Sequence, residues 1–363
     1  MIAMPLRPTR RLAVDPLAPD PVAIAEAARV LVAGGLVVFP TETVYGLGAN
    51  ALDAAAVASI FAAKERPTTD PLIVHLAEAA DLPRVAASMP AAATSLAARF
   101  WPGPLTLIVP RHGDVPEIVT AGLPSVAVRV PAHPVAQALL AAAGVPVAAP
   151  SANRFSRPSP TLAAHALADL DGRVDLLLDA GATDIGVEST IVDCTVTPPI
   201  VRRAGGVTLE SLAETVPDLT VADELADVGV AQLAPGQLLR HYAPVARLTA
   251  YDGALDACVA RVQRDVRQLT ASGARVGVLA PDEALIALAP ALAGPSSTGR
   301  IAVASLGRRA DPRAAARLLF ASLRTLDAAG TDVILAIGPA RAGLGVAVWD
   351  RLRRAAEGRV VSV

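Results

Sequence analysis

The sequence predicts an α/β fold in two domains, a larger one built on a mixed, twisted sheet and a smaller one built on a parallel sheet. Three observations carry that expectation. The chain has 363 residues, enough for roughly two domains at about 150 residues each. Hydrophobic residues make up 53% and charged residues 18%, which supplies two cores and excludes general disorder. Strand-like and helix-like stretches mix without strict alternation up to about residue 216, then alternate regularly from about residue 247.

Residues 21–35, PVAIAEAARVLVAGG, have the apolar spacing of an amphipathic helix with Gly34 and Gly35 at its C-terminal end. LVVF reads as a short buried strand, and PTETVYGLGANA as a polar, glycine-punctuated loop after it. DAAAVASIFAAKERP is a second helix, with Asp53 placed to cap its first turn and Pro67 to stop it. LIVHL, LTLIV, SVAVRV and VPVAA are strands separated by helical or proline-containing pieces. VDLLLDAG, STIVDC and PIVRRAG extend the series, and TLESLAETV closes it as a short helix. This is a first domain over residues 20–216, with a mixed sheet. Residues 217–246 fit no long periodic element and read as an interdomain linker. Beyond them RLTAY, RVGVLA, RIAVASL, DVILAIG and RVVSV recur as strands. LDACVARVQRDVRQLTA and DPRAAARLLFASLRTLDAAG are helical between them, the alternation of a Rossmann-like parallel-sheet domain over residues 247–363.

Composition narrows the function classes. Basic and acidic residues number 32 and 34, for a net charge of -2, so a globally basic nucleic-acid coat is excluded while a local basic pocket is not. Two cysteines, Cys194 and Cys258, cannot build a disulfide framework or a thiolate cluster. Mean hydropathy is +0.47, but alanine and valine supply it. The longest uncharged stretch, residues 134–153, is broken by Pro146 and Pro150 and reads as a buried helix and strand rather than a membrane span. The arginines near the N-terminus are followed by no apolar signal-peptide core. The expectation is a soluble, cytoplasmic protein with no membrane partner.

Familiar catalytic loops are missing. There is no G-x-x-x-x-G-K-[ST], no G-x-S-x-G, and no G-x-G-x-x-G after the first strand of either domain. The five histidines show no i, i+4 pairing, so a zinc site has no support. GPARAGLGVAVWD follows a strand and precedes a helix, where its glycines are read as structural.

Of the 32 basic residues, Lys64 is the single lysine. Coding bias explains the arginines. An ammonium that survives it belongs where a compact point charge must fit. Lys64 and Arg66 lie two apart, so they cannot share a face of one continuous helix. Pro67 disfavours helix at Arg66, and leaving the helix there lets both cations converge on one anion such as a triphosphate. The plain alternative is two cations complementing a helix C-terminus. PSANRFSRPSPT, after a strand, gathers Ser151, Asn153, Ser156, Ser159, Arg154 and Arg157, a set suited to phosphate and ribose, or else an ordinary Ser/Pro loop. Arg129 alternates with valines in a strand and needs a buried partner, which a substrate carboxylate, an Asp or a Glu would serve. His75 in a strand reads as a satisfied core histidine, Thr43 and Tyr45 as loop caps, and Trp101 as packing.

FPTETVYGLGANA, KERPTTDPLIVH, FWPGPLTLIV, SVAVRVPAHP and APSANRFSRPSPT stand in the order found in the YrdC-type domain. LAPGQLLRHYAP resembles the linker of its two-domain members, and the stretch including GPARAGLGVAVWDRLRRAA is similar to their C-terminal domain. From about residue 20 onward the chain is identified as a member of the threonylcarbamoyl-AMP synthase family. The resemblance implies a nucleotidyltransferase that joins L-threonine, bicarbonate and ATP, with Mg2+, into threonylcarbamoyl-AMP and pyrophosphate. That adenylate is the activated intermediate for threonylcarbamoyladenosine in tRNA, and it passes to a downstream tRNA threonylcarbamoyl transferase machinery, with at most weak direct contact to tRNA.

The same resemblance assigns residues. Lys64, Arg66, Ser151 and Asn153 carry the catalytic signature, with Lys64 and Arg66 on the phosphates. Ser125, Ser151, Ser159 and Arg203 contact ATP, and His241 and Tyr242 fold back from the linker as part of a lid. Thr43, His75, Arg129, Ser189 and the backbone at Ala149 hold threonine, Arg129 taking its carboxylate. Mg2+ is bound mainly through the triphosphate, with no protein side chain as ligand. Asp70 stands where many members carry Asn, so its ATP contact requires an intervening Mg2+. Two other readings compete: an RNA-binding module, and a hydrolase or regulator acting on the same adenylate.

Overall fold

The computed structural model describes residues 8–222, 232–236, 241–293 and 299–363. It divides into two compact units. The first comprises Met1–Phe155 and Ser159–Gln237, the second Ser156–Pro158 and Leu238–Val363.

In the first unit the chain runs through β1 (Arg10–Ala13), α1 (Pro21–Val32), β2 (Val37–Phe39), β3 (Gly46–Asn50) and α2 (Ala54–Lys64). It continues through β4 (Ile73–His75), α3 (Ala91–Phe100), β5 (Leu105–Pro110), α4 (Glu117–Thr120), β6 (Ser125–Arg129) and α5 (Pro134–Ala143). Then come β7 (Val147–Ala148), α6 (Ala163–Leu170), β8 (Leu176–Asp179), β9 (Thr190–Asp193), β10 (Ile200–Arg203), α7 (Leu209–Ala213) and β11 (Thr220–Val221). The strands form one 11-stranded sheet in the order β1-β8-β2-β3-β7-β4-β6-β5-β9-β10-β11. Parallel pairs such as β4 with β6 alternate with antiparallel pairs such as β5 with β6, the mixed sheet that the irregular element order implies.

Two differences from the sequence reading are informative. Residues 46–50, read as part of a loop, form β3, which pairs antiparallel with both β2 and β7. Gly48 sits where a Cβ would lie 2.8 Å from Phe39 and 2.9 Å from Val147, so its role is close packing inside a strand and not a turn. The sheet also gains β1, ahead of residue 20, paired parallel to β8. Its RRLA sequence is mostly exposed, as suits an edge strand, and carries no apolar alternation to announce it. Elsewhere Asp53 caps α2 through the N–H groups of Ala55 and Ala56, as its position indicates.

Alternation along the strands divides the sheet into two faces with different covers. Val74, Leu105, Leu107, Val109, Val126 and Val128 point into the main core, which Val57, Ile60 and Phe61 of α2 complete. On the other face α1 and α5 pack over β2, β7 and β8, through Ile24, Leu31, Leu139, Val37, Val147 and Leu176. Further along this face, the apolar cluster is small: Ile73, Ile108, Ala127 and Ile191, joined by Ala234. The neighbouring side chains of β4, β5 and β6 on that face include His75, Thr106, Ser125 and Arg129.

The second unit carries β12 (Arg247–Asp252), α8 (Leu255–Ala271), β13 (Val276–Ala280), α9 (Asp282–Leu292) and β14 (Ile301–Ser305). It ends with α10 (Pro312–Ala328), β15 (Val333–Ile337), α11 (Leu344–Ala355) and β16 (Val360–Ser362). The 5-stranded sheet has the order β14-β13-β15-β12-β16 and every pair is parallel. The regular alternation required parallel pairing. The order departs from the usual doubly wound one because β15 sits between β12 and β13.

Candidate active site

Lys64 ends α2, and Glu65 after it adopts the left-handed conformation at φ 55, so the chain turns out of the helix before Pro67. Lys64 is 1% exposed. Its Nζ donates to the carbonyls of Ser151 and Asn153, each at 2.5 Å, and its own carbonyl accepts from Phe155 N–H at 2.9 Å. The helix end and the serine-rich loop are thereby tied together. Burial, followed by the Arg66 charge, holds the Lys64 ammonium well below the usual lysine range, against the pull of Asp70 and Asp169.

Arg66 is buried as well. Its Nε donates to Asp70 O at 3.1 Å and its NH2 to Pro71 O at 2.7 Å, while NH2 lies 2.9 Å from Asp70 Oδ1. Burial raises the Asp70 carboxyl above the usual range, and Arg66, Lys64 and Arg203 act in the opposite direction. Three cations therefore share the electrostatic neighbourhood of Asp70. Arg203, at the end of β10, donates to Ser189 O at 2.9 Å, to Ser189 Oγ at 3.3 Å and to Pro235 O at 3.1 Å. Ser189 Oγ also shares a 2.7 Å hydrogen bond with Thr106 Oγ1.

Arg129 closes β6 next to His75 of β4 in register. Its Nε donates to Gly103 O at 3.2 Å and NH1 to Thr43 Oγ1 at 2.9 Å, and NH2 lies 2.7 Å from Glu42 Oε1. The partner of this buried arginine, left open by the sequence, is thus Glu42. His75 Nδ1 lies 3.2 Å from Ile73 O. Burial and the Arg129 charge push its pKa down to about 3, so its ring is neutral at physiological pH.

Of the residues singled out from the sequence, the fold joins Thr43 and His75 to Arg129, and Ser189 to Arg203. It also joins Lys64 to the main chain of Ser151 and Asn153. Ser125 begins β6 on the same face as Arg129. Ser159 donates to Glu188 Oε1 at 2.5 Å. The Ala149 N–H already donates to Ile73 O at 2.9 Å. His241 and Tyr242 belong to the second unit, with ring centroids 4.0 Å apart, and Tyr242 packs 5.5 Å from Phe320 and beneath the Arg351 guanidinium. Tyr45 is structural: its hydroxyl donates to Gly181 O and accepts from Ala180 N–H. Trp101 donates to Leu105 O, in keeping with packing.

Sequence reasoning missed Glu42, Glu188 and Thr106. Each stands beside, or in register near, a residue that was noticed, but only strand pairing and loop path show which neighbours face inward. Part of the linker also returns to this face. Gln232 N–H donates to Thr69 O at 3.0 Å, Ala234 packs on Ile73, Ile108, Ala127 and Ile191, and Pro235 O receives Arg203.

Comparisons with known proteins give the family and the fold. The Sua5/YciO/YrdC family model, described as telomere recombination, matches residues 29–205. The model of the threonylcarbamoyl-AMP synthase C-terminal domain matches residues 207–357. The chain is 42% identical over 331 residues to the threonylcarbamoyl-AMP synthase of Pyrococcus abyssi, covering 91% of this chain and 93% of that one. It is 42% identical over 348 residues to that of Bacillus subtilis, covering 96% of each. The crystal structure of P. abyssi Sua5 complexed with L-threonine matches with a TM-score of 0.89 at 39% identity, over 98% of this chain and 100% of that one.

Proposed function

The chain belongs to the threonylcarbamoyl-AMP synthase family, and from that premise we propose that it joins L-threonine, bicarbonate and ATP into threonylcarbamoyl-AMP and pyrophosphate. One observation carries the reading. A cluster of buried cations (Lys64, Arg66 and Arg203) and a buried polar group (Arg129, Thr43 and His75) are brought to the same unit, and Ser189, bonded to Arg203, is also bonded to Thr106 of β5, the strand paired with the β6 that ends in Arg129.

Threonine binds with its carboxylate on Arg129, and Thr43, His75 and Ser189 shape the pocket around it. The neutral His75 ring offers hydrogen bonding without a second positive charge beside Arg129. The amine condenses with bicarbonate, releasing water and leaving a carbamate. A carbamate oxygen then attacks the α-phosphorus of ATP, the bond to the bridging oxygen breaks, and pyrophosphate departs. Lys64, Arg66 and Arg203 hold the phosphates as charge moves onto the leaving group. Ser125, Ser151, Asn153 and Ser159 position the nucleotide. Positioning and charge neutralisation supply the acceleration, since the protein forms no bond to the reacting atoms.

Among the described residues no three His, Cys, Asp or Glu side chains converge on a metal position. Asp70 pairs with Arg66, and Glu188 accepts from Ser159. On this reading Mg2+ enters with ATP, held mainly by the triphosphate. The domain division follows the same reading: residues 20–216 catalytic, 217–246 a linker and lid, 247–363 the C-terminal domain. A lid that lays Ala234 on the apolar floor excludes water from a hydrolysis-prone mixed anhydride. The product serves tRNA modification in the cytoplasm, passing to a transferase. Among the described residues no helix is long and apolar enough to cross a membrane.

An RNA-binding role fits less well, because the cations of the site are buried rather than spread over a face that a phosphate backbone could reach. The decisive measurement is pyrophosphate release. The reading requires release that depends on threonine and bicarbonate together; ATP turnover indifferent to both, or adenylate cleavage without synthesis, would remove it.

A further inference from the structure

We infer that Glu42 is the cation-binding half of the amino-acid cradle, its carboxylate receiving the α-ammonium of threonine while Arg129 receives the carboxylate. The inference rests on the synthase reading above and adds a residue to it.

Glu42 is held in place by its backbone. Its carbonyl accepts from Ile185 N–H at 2.9 Å, and that of Thr43 from Gly186 N–H at 3.1 Å, so the segment cannot carry the side chain away without breaking both. The side chain is buried, with only 7% of the residue exposed. Oε1 lies 2.7 Å from Arg129 NH2, yet among the described residues neither carboxylate oxygen accepts a hydrogen bond, and Arg129 NH2 makes none. The contact is an ion pair out of hydrogen-bond alignment. A carboxylate offers about four acceptor sites, and buried polar atoms are nearly always satisfied. An acid left so exposed to a missing donor marks a place where a donor arrives.

Charge identifies the donor. Threonine is a zwitterion near neutral pH. Arg129 answers its carboxylate, while Thr43 and Ser189 bring hydroxyls and His75 is neutral. The ammonium would have no anionic partner among these residues. Glu42 adjoins Thr43 and touches the same guanidinium, and its field also reaches His133. With threonine between them, Arg129, carboxylate, ammonium and Glu42 alternate in sign, and the pair that balances itself in the free protein balances the substrate in the complex. The cradle then selects amino acids over hydroxy acids of the same shape.

The test is threonine binding by calorimetry in wild type and Glu42→Gln, alongside KM values and binding of 3-hydroxybutanoate, which lacks the amine. The expected result is at least tenfold weaker threonine binding in Glu42→Gln, KM for ATP within threefold, and 3-hydroxybutanoate bound as well as or better than by wild type. Threonine binding that is unchanged overturns the inference. So does tighter binding, which would make Glu42 a stand-in competing for Arg129. Because Glu42→Gln leaves a buried guanidinium without its counter-ion, Glu42→Asp is measured in parallel with the melting temperature of each variant. Glu42→Asp keeps the charge and should retain the preference for threonine over 3-hydroxybutanoate; losing that preference in a folded variant also overturns the inference. Wild type that fails to bind threonine at all would instead refute the synthase reading, and this inference with it.

Discussion

At the end of the site proposed to take the phosphates, the cations are held chiefly by main-chain carbonyls: Ser151 and Asn153 for Lys64, Asp70 and Pro71 for Arg66, Ser189 and Pro235 for Arg203. At the end proposed to take threonine, Arg129 has a carboxylate, a hydroxyl and one carbonyl. The difference is one of net charge. Carbonyl dipoles steady a cation without cancelling it, so Lys64, Arg66 and Arg203 together outnumber Asp70. Glu42 cancels Arg129. A strongly positive end suits a triphosphate and a balanced end suits a zwitterion.

Lys64→Arg should break this arrangement most severely. A guanidinium is too broad for a buried position between two carbonyls at 2.5 Å, and the expected loss in kcat/KM is about a hundredfold, or roughly 3 kcal/mol of transition-state stabilisation. Pyrophosphate-release kinetics measure it, and a fully active variant would show that the single lysine is accidental. Arg129→Lys acts on the other end. It keeps the charge but loses the fork, and KM for threonine should rise about tenfold or more while KM for ATP changes little.

Asp70→Asn sharpens the contrast by making the phosphate end more positive. It removes the acid paired to Arg66 and should lower KM for ATP by about threefold to tenfold, an effect on the order of 1 kcal/mol. A higher KM would mean that Asp70 serves the nucleotide directly.

His75 provides a stability test. Its pKa of about 3 lies below the usual 6.5, so the fold prefers the neutral ring. Its contribution is complete above about pH 6.5 and is lost as pH falls toward about 3, with a slope of at most about 1.4 kcal/mol per pH unit. Urea unfolding at pH 7 and pH 5 should show that loss in wild type and a shallower one in His75→Asn. The smallest effect belongs to Arg154, an exposed partner of Glu65 at 2.5 Å. Arg154→Ala should leave activity within about twofold and stability within about 0.5 kcal/mol; a large loss would extend the phosphate end to the surface.

The two ends also differed in how readable they were. Lys64 and Arg66 stood out because one lysine survives among arginines and Pro67 forces the chain from its helix, both local facts. Arg129 was conspicuous as a charge among valines, but its partner was not. Glu42 is 87 positions away in the chain, on a loop that only the pairing of β2 with β3 brings round. β3 itself was missed because Gly46 and Gly48 look like turn residues until Phe39 and Val147 are seen against them.

Alternation of valine with Ser125, Ala127 and Arg129, the position of Asp53, and the regular rhythm after residue 247 are properties of neighbouring residues. They set the class of fold, most of its strands and the identity of the cations. Which acid neutralises which cation, and where β15 enters its sheet, depend on contacts between residues far apart in the chain. Local propensity does not encode such contacts; they form only when strand register and burial make one set of distant partners cost less than the others.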